Sequence, residues 1–499
     1  MRKVLLCLIF IACFAVPAFF SVYDVDPHHD GAMFKPAWDL LNGNMLFKDT
    51  YSQYGAFTVL LQALAMALFG KYLIVLKLLT AVFYGMIGVL LYKLNEKILP
   101  GWINLLGIMF FICLAPYYIW TFHVWSSVYA LFFQLLAVYH FASYLETGSR
   151  RNIFQSGIAA AFTFWFRQPV GIFLFAALSF FAFVELVLSR EKKKNALDYS
   201  YFFIGFAAFI LIVLVWLSAT HALKDWWKQS IVMAYSFGSG FGTGIKRILW
   251  SLFPEIGLLW SILPISAIAA YLWYIRKRFI LRLKKPEFAV MGVLAAAGLA
   301  SWLQYYPVTC YRHVYWGGIP LIGCFLGFIY MLLQGRKPKI LVVSVLAVSL
   351  VFLPEICFRI NKAESKLSAV YYQADSGTIL KGMKLSEENR DIFADIKSAY
   401  GQFKAKGGIE FVNMNPDALF LLYLEPELPS LKGSGFKPYV RQLYAMEQIY
   451  PGYFNSELEF IRVHSPMILA RPEFELPKGY FVKKELRNGF KIYWPEKIK

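Results

Sequence analysis

Near its start the chain reads Arg2-Lys3-Val-Leu-Leu-Cys7-Leu-Ile-Phe-Ile-Ala-Cys13-Phe-Ala-Val-Pro17-Ala-Phe-Phe-Ser21-Val-Tyr23-Asp24-Val-Asp26-Pro-His28-His29-Asp30-Gly31. Two cations precede an apolar run long enough to cross a bilayer, and a loop crowded with acids and histidines follows it. A run of about 20 apolar residues spans about 30 Å of hydrocarbon as a helix. Phe19-Phe20-Ser21 offers no small-x-small cleavage site, and Ile11-Ala12-Cys13 only weakly resembles a lipid-attachment site, so this run is expected to be an uncleaved first span.

The rest of the chain repeats the motif. Of its 499 residues, 59% are hydrophobic and only 16% charged, against about 45–50% and about 25% in an ordinary soluble domain. The formal net charge is nevertheless +19. Short clusters between the apolar runs explain it: Arg2-Lys3; Lys93 and Lys97; Arg150-Arg151; Arg190 with Lys192 to Lys194; Arg276 to Arg278 with Arg282, Lys284 and Lys285; and Arg336, Lys337 and Lys339. They contain 19 basic and three acidic residues, whereas the tail from Ile360 holds 20 basic and 17 acidic. Basic loops alternating with loops of little net charge obey the positive-inside rule. The excess charge is thus a topology signal, and nucleic acid is excluded as a partner.

Roughly eleven spans follow: 4–22, 71–92, 102–118, 124–145, 152–166, 170–189, 199–219, 248–275, 287–304, 314–334 and 340–358. The pair flanking Arg167-Gln168-Pro169 reads alternatively as a helical hairpin. The basic clusters place the N-terminus in the cytosol, and an odd number of spans then puts the tail outside. The expected fold is an α-helical polytopic membrane protein with a small extracytoplasmic α/β or α+β domain. The transmembrane part covers 1–359, with a first external loop at 23–70, and the soluble domain covers 360–499. In the tail, 409–413 reads as a strand, Asn415-Pro416-Asp417 caps a helix from Ala418 to Tyr423, and Asn488-Gly489 joins two alternating runs in a hairpin. The six cysteines lie in or beside spans, with no disulfide or zinc spacing.

The first external loop carries the chemistry. Asp24, Asp26, His28, His29 and Asp30 crowd the end of the first span, where ionisable groups are costly unless solvated or functional. Gly31 to Leu41 reads as a short amphipathic helix stopped by Asn42-Gly43, and Ala56 to Leu68 as a second, interfacial one. The order is a first span, an acidic element, a helix with Leu40-Leu41-Asn42-Gly43, then Phe47-Lys48-Asp49, an apolar helix, and Leu68-Phe69-Gly70 before the second span. It resembles the GT-C superfamily of membrane glycosyltransferases, which includes aminoarabinose transferases and protein O-mannosyltransferases. Those enzymes show Asp-Glu where this chain has Asp30-Gly31.

The resemblance implies a lipid-linked sugar donor and inverting transfer to an extracytoplasmic acceptor at a bacterial plasma membrane, with a first-loop carboxylate as general base. Asp30 is the first choice for that base and Asp26 the second. Asp49 is a candidate for positioning substrate, as are His29 and Lys35. The leaving phosphate calls for directional positive charge near the outer face. Arg167, Arg312 and His313 sit at predicted outer span ends and suit that role, with His123 and Glu255 behind them. No cofactor is required by this reading. A divalent metal on His28 and His29 is the alternative, although adjacent histidines do not easily face one site. A transporter or flippase, or a polymerase or ligase of lipid-linked glycans, is the competing reading.

Overall fold

The computed structural model describes residues 2–188, 192–232, 258–283, 285–305, 311–334, 336–414, 417–424, 450–471, 476 and 478–497. The expected apolar runs are helices. In sequence order they are α1 (Arg2–Ser21), α2 (His29–Leu41), α3 (Ala56–Phe69), α4 (Leu73–Asn95), α5 (Gly101–Cys113), α6 (Ser126–Thr147), α7 (Arg150–Phe166), α8 (Gln168–Leu188) and α9 (Lys192–Ala219). Helices at Leu258–Ile275, Pro286–Trp302, Tyr311–Leu333, Pro338–Ser349 and Leu353–Leu367 follow. Among the described residues, nine helical segments are long and apolar enough to cross a membrane. α7 and the helix Pro286–Trp302, at 17 residues each, complete the eleven expected runs. The predicted span 248–275 is described only from Leu258, and the glycine-rich stretch 237–244 lies outside the described residues.

Helices dominate because hydrocarbon offers the backbone no partner, so each segment must satisfy its own N–H and C=O groups. α7 and α8 meet at Arg167 and pack against each other. Arg167 between them is extended at φ −152°, which breaks the ladder for one residue. A Cβ on Gly171 would lie 2.3 Å from the Phe164 Cα, so glycine permits the close return. At the opposite helix ends the basic clusters find acids: Arg2 with Glu96, Lys97 with Glu146, and Arg150 with Asp198 at 2.7 Å. Arg150 is half-exposed, so its pair contributes little beyond holding the loop.

The tail carries two small sheets. β1 (Tyr371–Gln373) pairs antiparallel with β2 (Lys384–Ser386). A four-stranded sheet has the order β3-β4-β6-β5, built from β3 (Phe411–Asn413), β4 (Met467–Ala470), β5 (Tyr480–Glu485) and β6 (Lys491–Pro495). β3 and β4 are parallel and the other pairs antiparallel. Gly489 at φ +80° turns the β5–β6 hairpin, as Asn488-Gly489 predicts. The helix expected from Ala418 runs over Leu419–Leu424, while Asn415 and Pro416 lie outside the described residues. One hydrophobic core joins the tail to the first loop: Met33, Phe34 and Ala37 of α2 pack in a common cluster with Leu419, Phe420 and Phe393.

Candidate functional site

The site grows out of how α2 starts. Pro27 cannot donate a backbone hydrogen bond, and the first N–H groups of any helix lack intrahelical partners. Asp26 supplies one: its Oδ1 accepts from the His28 and His29 N–H groups at 3.0 and 2.9 Å. α2 therefore begins two residues earlier than its apolar periodicity suggests, and Asp30 falls in its first turn.

The other Asp26 oxygen, Oδ2, faces outward from this cap. It meets His29 Nδ1 at 2.8 Å and lies 3.8 Å from His123 Nε2. The atoms that Asp26, His29 and His123 could offer to a metal ion all lie within 4.8 Å of one another. The Asp26 side chain stays 22% exposed, so the group is reachable. His28 turns the other way, with Nδ1 3.4 Å from Asp417 Oδ1 on the tail. The two histidine rings stand edge to face, the divergence that adjacent positions impose.

Burial alone would raise the Asp26 carboxyl. The His29 hydrogen bond, then the His123 and His29 charges, outweigh it and hold Asp26 well below the usual carboxylate range. A depressed carboxylate contributes stability that is present above its unfolded pKa, about 3.9, and is lost as pH falls through the lower folded value. Replacing His29 by alanine removes the leading stabiliser, a charge-assisted bond worth about 1.5–3 kcal/mol. The melting-temperature gap between the wild type and His29→Ala is expected to be largest at pH 5 and to shrink below about pH 4. Thermal melts between pH 3 and 5 check this, and a gap that widens in acid would contradict it.

Asp30 lies behind this trio. It is fully buried, and its Oδ2 takes the Lys77 ammonium at 3.0 Å and the Asp26 N–H at 3.1 Å. Oδ1 has no hydrogen-bond partner. Burial pushes the Asp30 carboxyl up, and Lys77 offsets only part of that. Lys77 is equally buried and donates a second bond to the Asp24 carbonyl at 3.0 Å.

Trp125 ties the remaining candidates together. Its ring centroid is 5.0 Å from His29, 6.1 Å from His123 and 5.9 Å from His313. A cleft lined by Tyr84, Tyr117, Phe122, His123, Trp125 and Trp316 opens beside it. Arg167 reaches Ser127, two residues along from Trp125. The Arg312 side chain and Glu255 lie outside the described residues.

Two expected binding residues stand apart. Lys35 is buried and paired with Asp39 one turn on, and Asp39 also accepts from the Thr50 hydroxyl at 2.5 Å. That triad fixes the loop after α2. Asp49 is exposed and accepts the Met45 N–H at 2.7 Å, a turn-closing bond. Sequence reading missed Lys77 and ranked His123 low. The signal for Lys77 was available: it is the one charged residue between Leu73 and Tyr92, and charge inside a span marks a functional site by default.

The arrangement of these helices with the first loop and the C-terminal part is shared with two solved proteins. The apo oligosaccharyltransferase of Archaeoglobus fulgidus superposes with a TM-score of 0.52 at 12% identity, over 93% of this chain and 69% of that one. ArnT from Cupriavidus metallidurans, solved bound to undecaprenyl phosphate, superposes with a TM-score of 0.55 at 13% identity, over 98% of this chain and 97% of that one. At such identities the likeness is one of fold. No family model and no curated protein sequence matches the chain.

Proposed function

We propose that this chain is an integral-membrane glycosyltransferase that moves a sugar from a polyprenyl-phosphate donor to an acceptor hydroxyl outside the cytosol. The observation that carries the proposal is the convergence of Asp26, His29 and His123 over a buried Asp30–Lys77 pair, on the fold of the GT-C enzymes. The polyprenyl donor is supported by the lipid bound to ArnT. On this reading 1–359 is the transmembrane part with its first loop, 23–70, outside, the N-terminus is cytosolic, and 360–499 sits outside a bacterial plasma membrane.

The carboxylates divide the work by their surroundings. Asp30 has a carboxyl pushed up by burial and an oxygen with no hydrogen-bond partner, both of which suit a proton acceptor. The acceptor oxygen bonds to the anomeric carbon as its proton passes to Asp30. The bond from that carbon to the donor phosphate breaks with inversion, and polyprenyl phosphate leaves. Asp26 stays ionised throughout.

One carboxylate oxygen and two imidazole nitrogens suit a borderline divalent ion better than magnesium or calcium, which prefer all-oxygen sites. Asp26, His29 and His123 would hold such an ion, and its chemistry would be to neutralise the leaving phosphate. Arg167 and Arg312, with His313, are the further donors assigned to that phosphate.

Mass-spectrometric comparison of cell-surface glycans with and without the protein tests the reading. One surface glycan is expected to lose a sugar mass while its unmodified acceptor accumulates. Identical glycan profiles, together with no transfer in liposomes from any polyprenyl-phosphate sugar, would overturn it.

A further inference from the structure

The stretch 22–28 lies between α1 and α2 and has almost no regular structure of its own. Its backbone polar groups need partners at a membrane face. The tail supplies them. The Lys384 N–H donates to the Val22 carbonyl at 2.8 Å, and the Lys384 carbonyl accepts from the Asp24 N–H at 2.7 Å. Asn389 Nδ2 donates to the Val25 carbonyl at 3.0 Å and to Asp24 Oδ1 at 2.7 Å. Ser386 donates to the same Asp24 oxygen from both N–H and hydroxyl, each at 3.2 Å. The Leu419 N–H reaches the Pro27 carbonyl at 3.2 Å.

These bonds hold Asp24 in the left-handed region, at φ +61°. In that conformation its carbonyl meets Lys77, which in turn holds Asp30. The His123 loop is gripped from the same side of the chain. Lys366, at the end of the helix Leu353–Leu367, donates to the Tyr117 and Trp120 carbonyls at 3.2 and 3.0 Å. Neither Asn389 nor Lys366 bonds to Asp26, His29 or His123.

We propose that the C-terminal part is the frame of the site: it sets the spacing between the Asp26 segment and the His123 loop, with Asn389 and Lys366 as positioning residues. This deepens the transfer reading and rests on it for the catalytic consequence, but the frame itself is a statement about local order. Misplacing a reacting group by about 1 Å costs on the order of 100-fold in rate, so a loosened frame shows in kcat.

The test uses the full chain in lipid nanodiscs, with Asn389→Ala, Lys366→Met and, as a control on the tail surface, Lys484→Ala. Hydrogen–deuterium exchange is followed over 22–31 and 116–125, and transfer from a polyprenyl-phosphate sugar over a range of donor concentrations. Asn389→Ala is expected to speed exchange about tenfold over 22–31 alone, and Lys366→Met over 116–125 alone. Each is expected to lower kcat about tenfold or more with little change in KM, and Lys366→Arg, which keeps the donors, to recover most of the loss. Unchanged exchange in both variants overturns the frame, whatever happens to transfer. Faster exchange with wild-type kcat overturns the positioning role. Should the wild type transfer no sugar at all, exchange still decides the frame, and only the functional reading falls.

Discussion

Asp30→Asn is expected to abolish sugar transfer, lowering kcat by about 10²–10⁴-fold, the usual contribution of a positioned acid or base. The same change leaves Lys77 fully buried opposite a neutral amide. Removing one partner of a buried pair costs about 3–5 kcal/mol, so the single variant will lose stability as well as activity. The two effects separate in Asp30→Asn/Lys77→Met, which replaces the pair with neutral groups. Such replacements are commonly neutral or stabilising. The double variant is expected to melt near the wild-type temperature and to remain inactive. A stable, correctly inserted double variant with wild-type transfer would remove Asp30 as proton acceptor and leave the pair a purely structural feature.

Asp26→Ala is the second large effect. Its exposed oxygen is the meeting point of His29 and His123, and its other oxygen caps α2. Loss of one preorganised electrostatic group in an active site costs about 10²–10³-fold in kcat. Capping separates from charge in Asp26→Asn, because an asparagine oxygen still accepts from the His28 and His29 N–H groups. Asp26→Asn is expected to keep the wild-type melting temperature more nearly than Asp26→Ala, yet to lose transfer to a similar extent. If Asp26→Asn transfers sugar at the wild-type rate, Asp26 is a helix cap and nothing more.

The membrane fold was legible because hydrocarbon imposes a simple rule on composition, and the basic clusters marked alternate loops. The hairpin at Asn488-Gly489 was legible for a similar reason, since glycine readily takes the positive φ, +80°, that this turn gives Gly489. The site was legible only in part. Asp26, His29 and Asp30 are neighbours in sequence, so their crowding showed directly. The trio's third member, His123, comes from a loop about 100 residues away, and nothing local in the sequence brings it to Asp26. Lys77 sits in a run that reads as apolar on average, and averaging hides a single charge. Lys35 and Asp49 are expected to position substrate from their place in the first loop, Asp49 on its Phe47-Lys48-Asp49 element. The fold gives Lys35 to Asp39 and Asp49 to a turn, partners that short-range pattern cannot rank.

Gly31 sits against the tail so closely that a Cβ there would lie 2.3 Å from the Leu419 nitrogen. Two stretches separated by nearly 400 positions are therefore one mould and its cast. A lineage can lengthen the surface turns of the tail freely. It cannot trade the tail for that of a distant cousin unless the first loop travels with it, and a chimera joined near Ile360 would inherit two halves that do not mate.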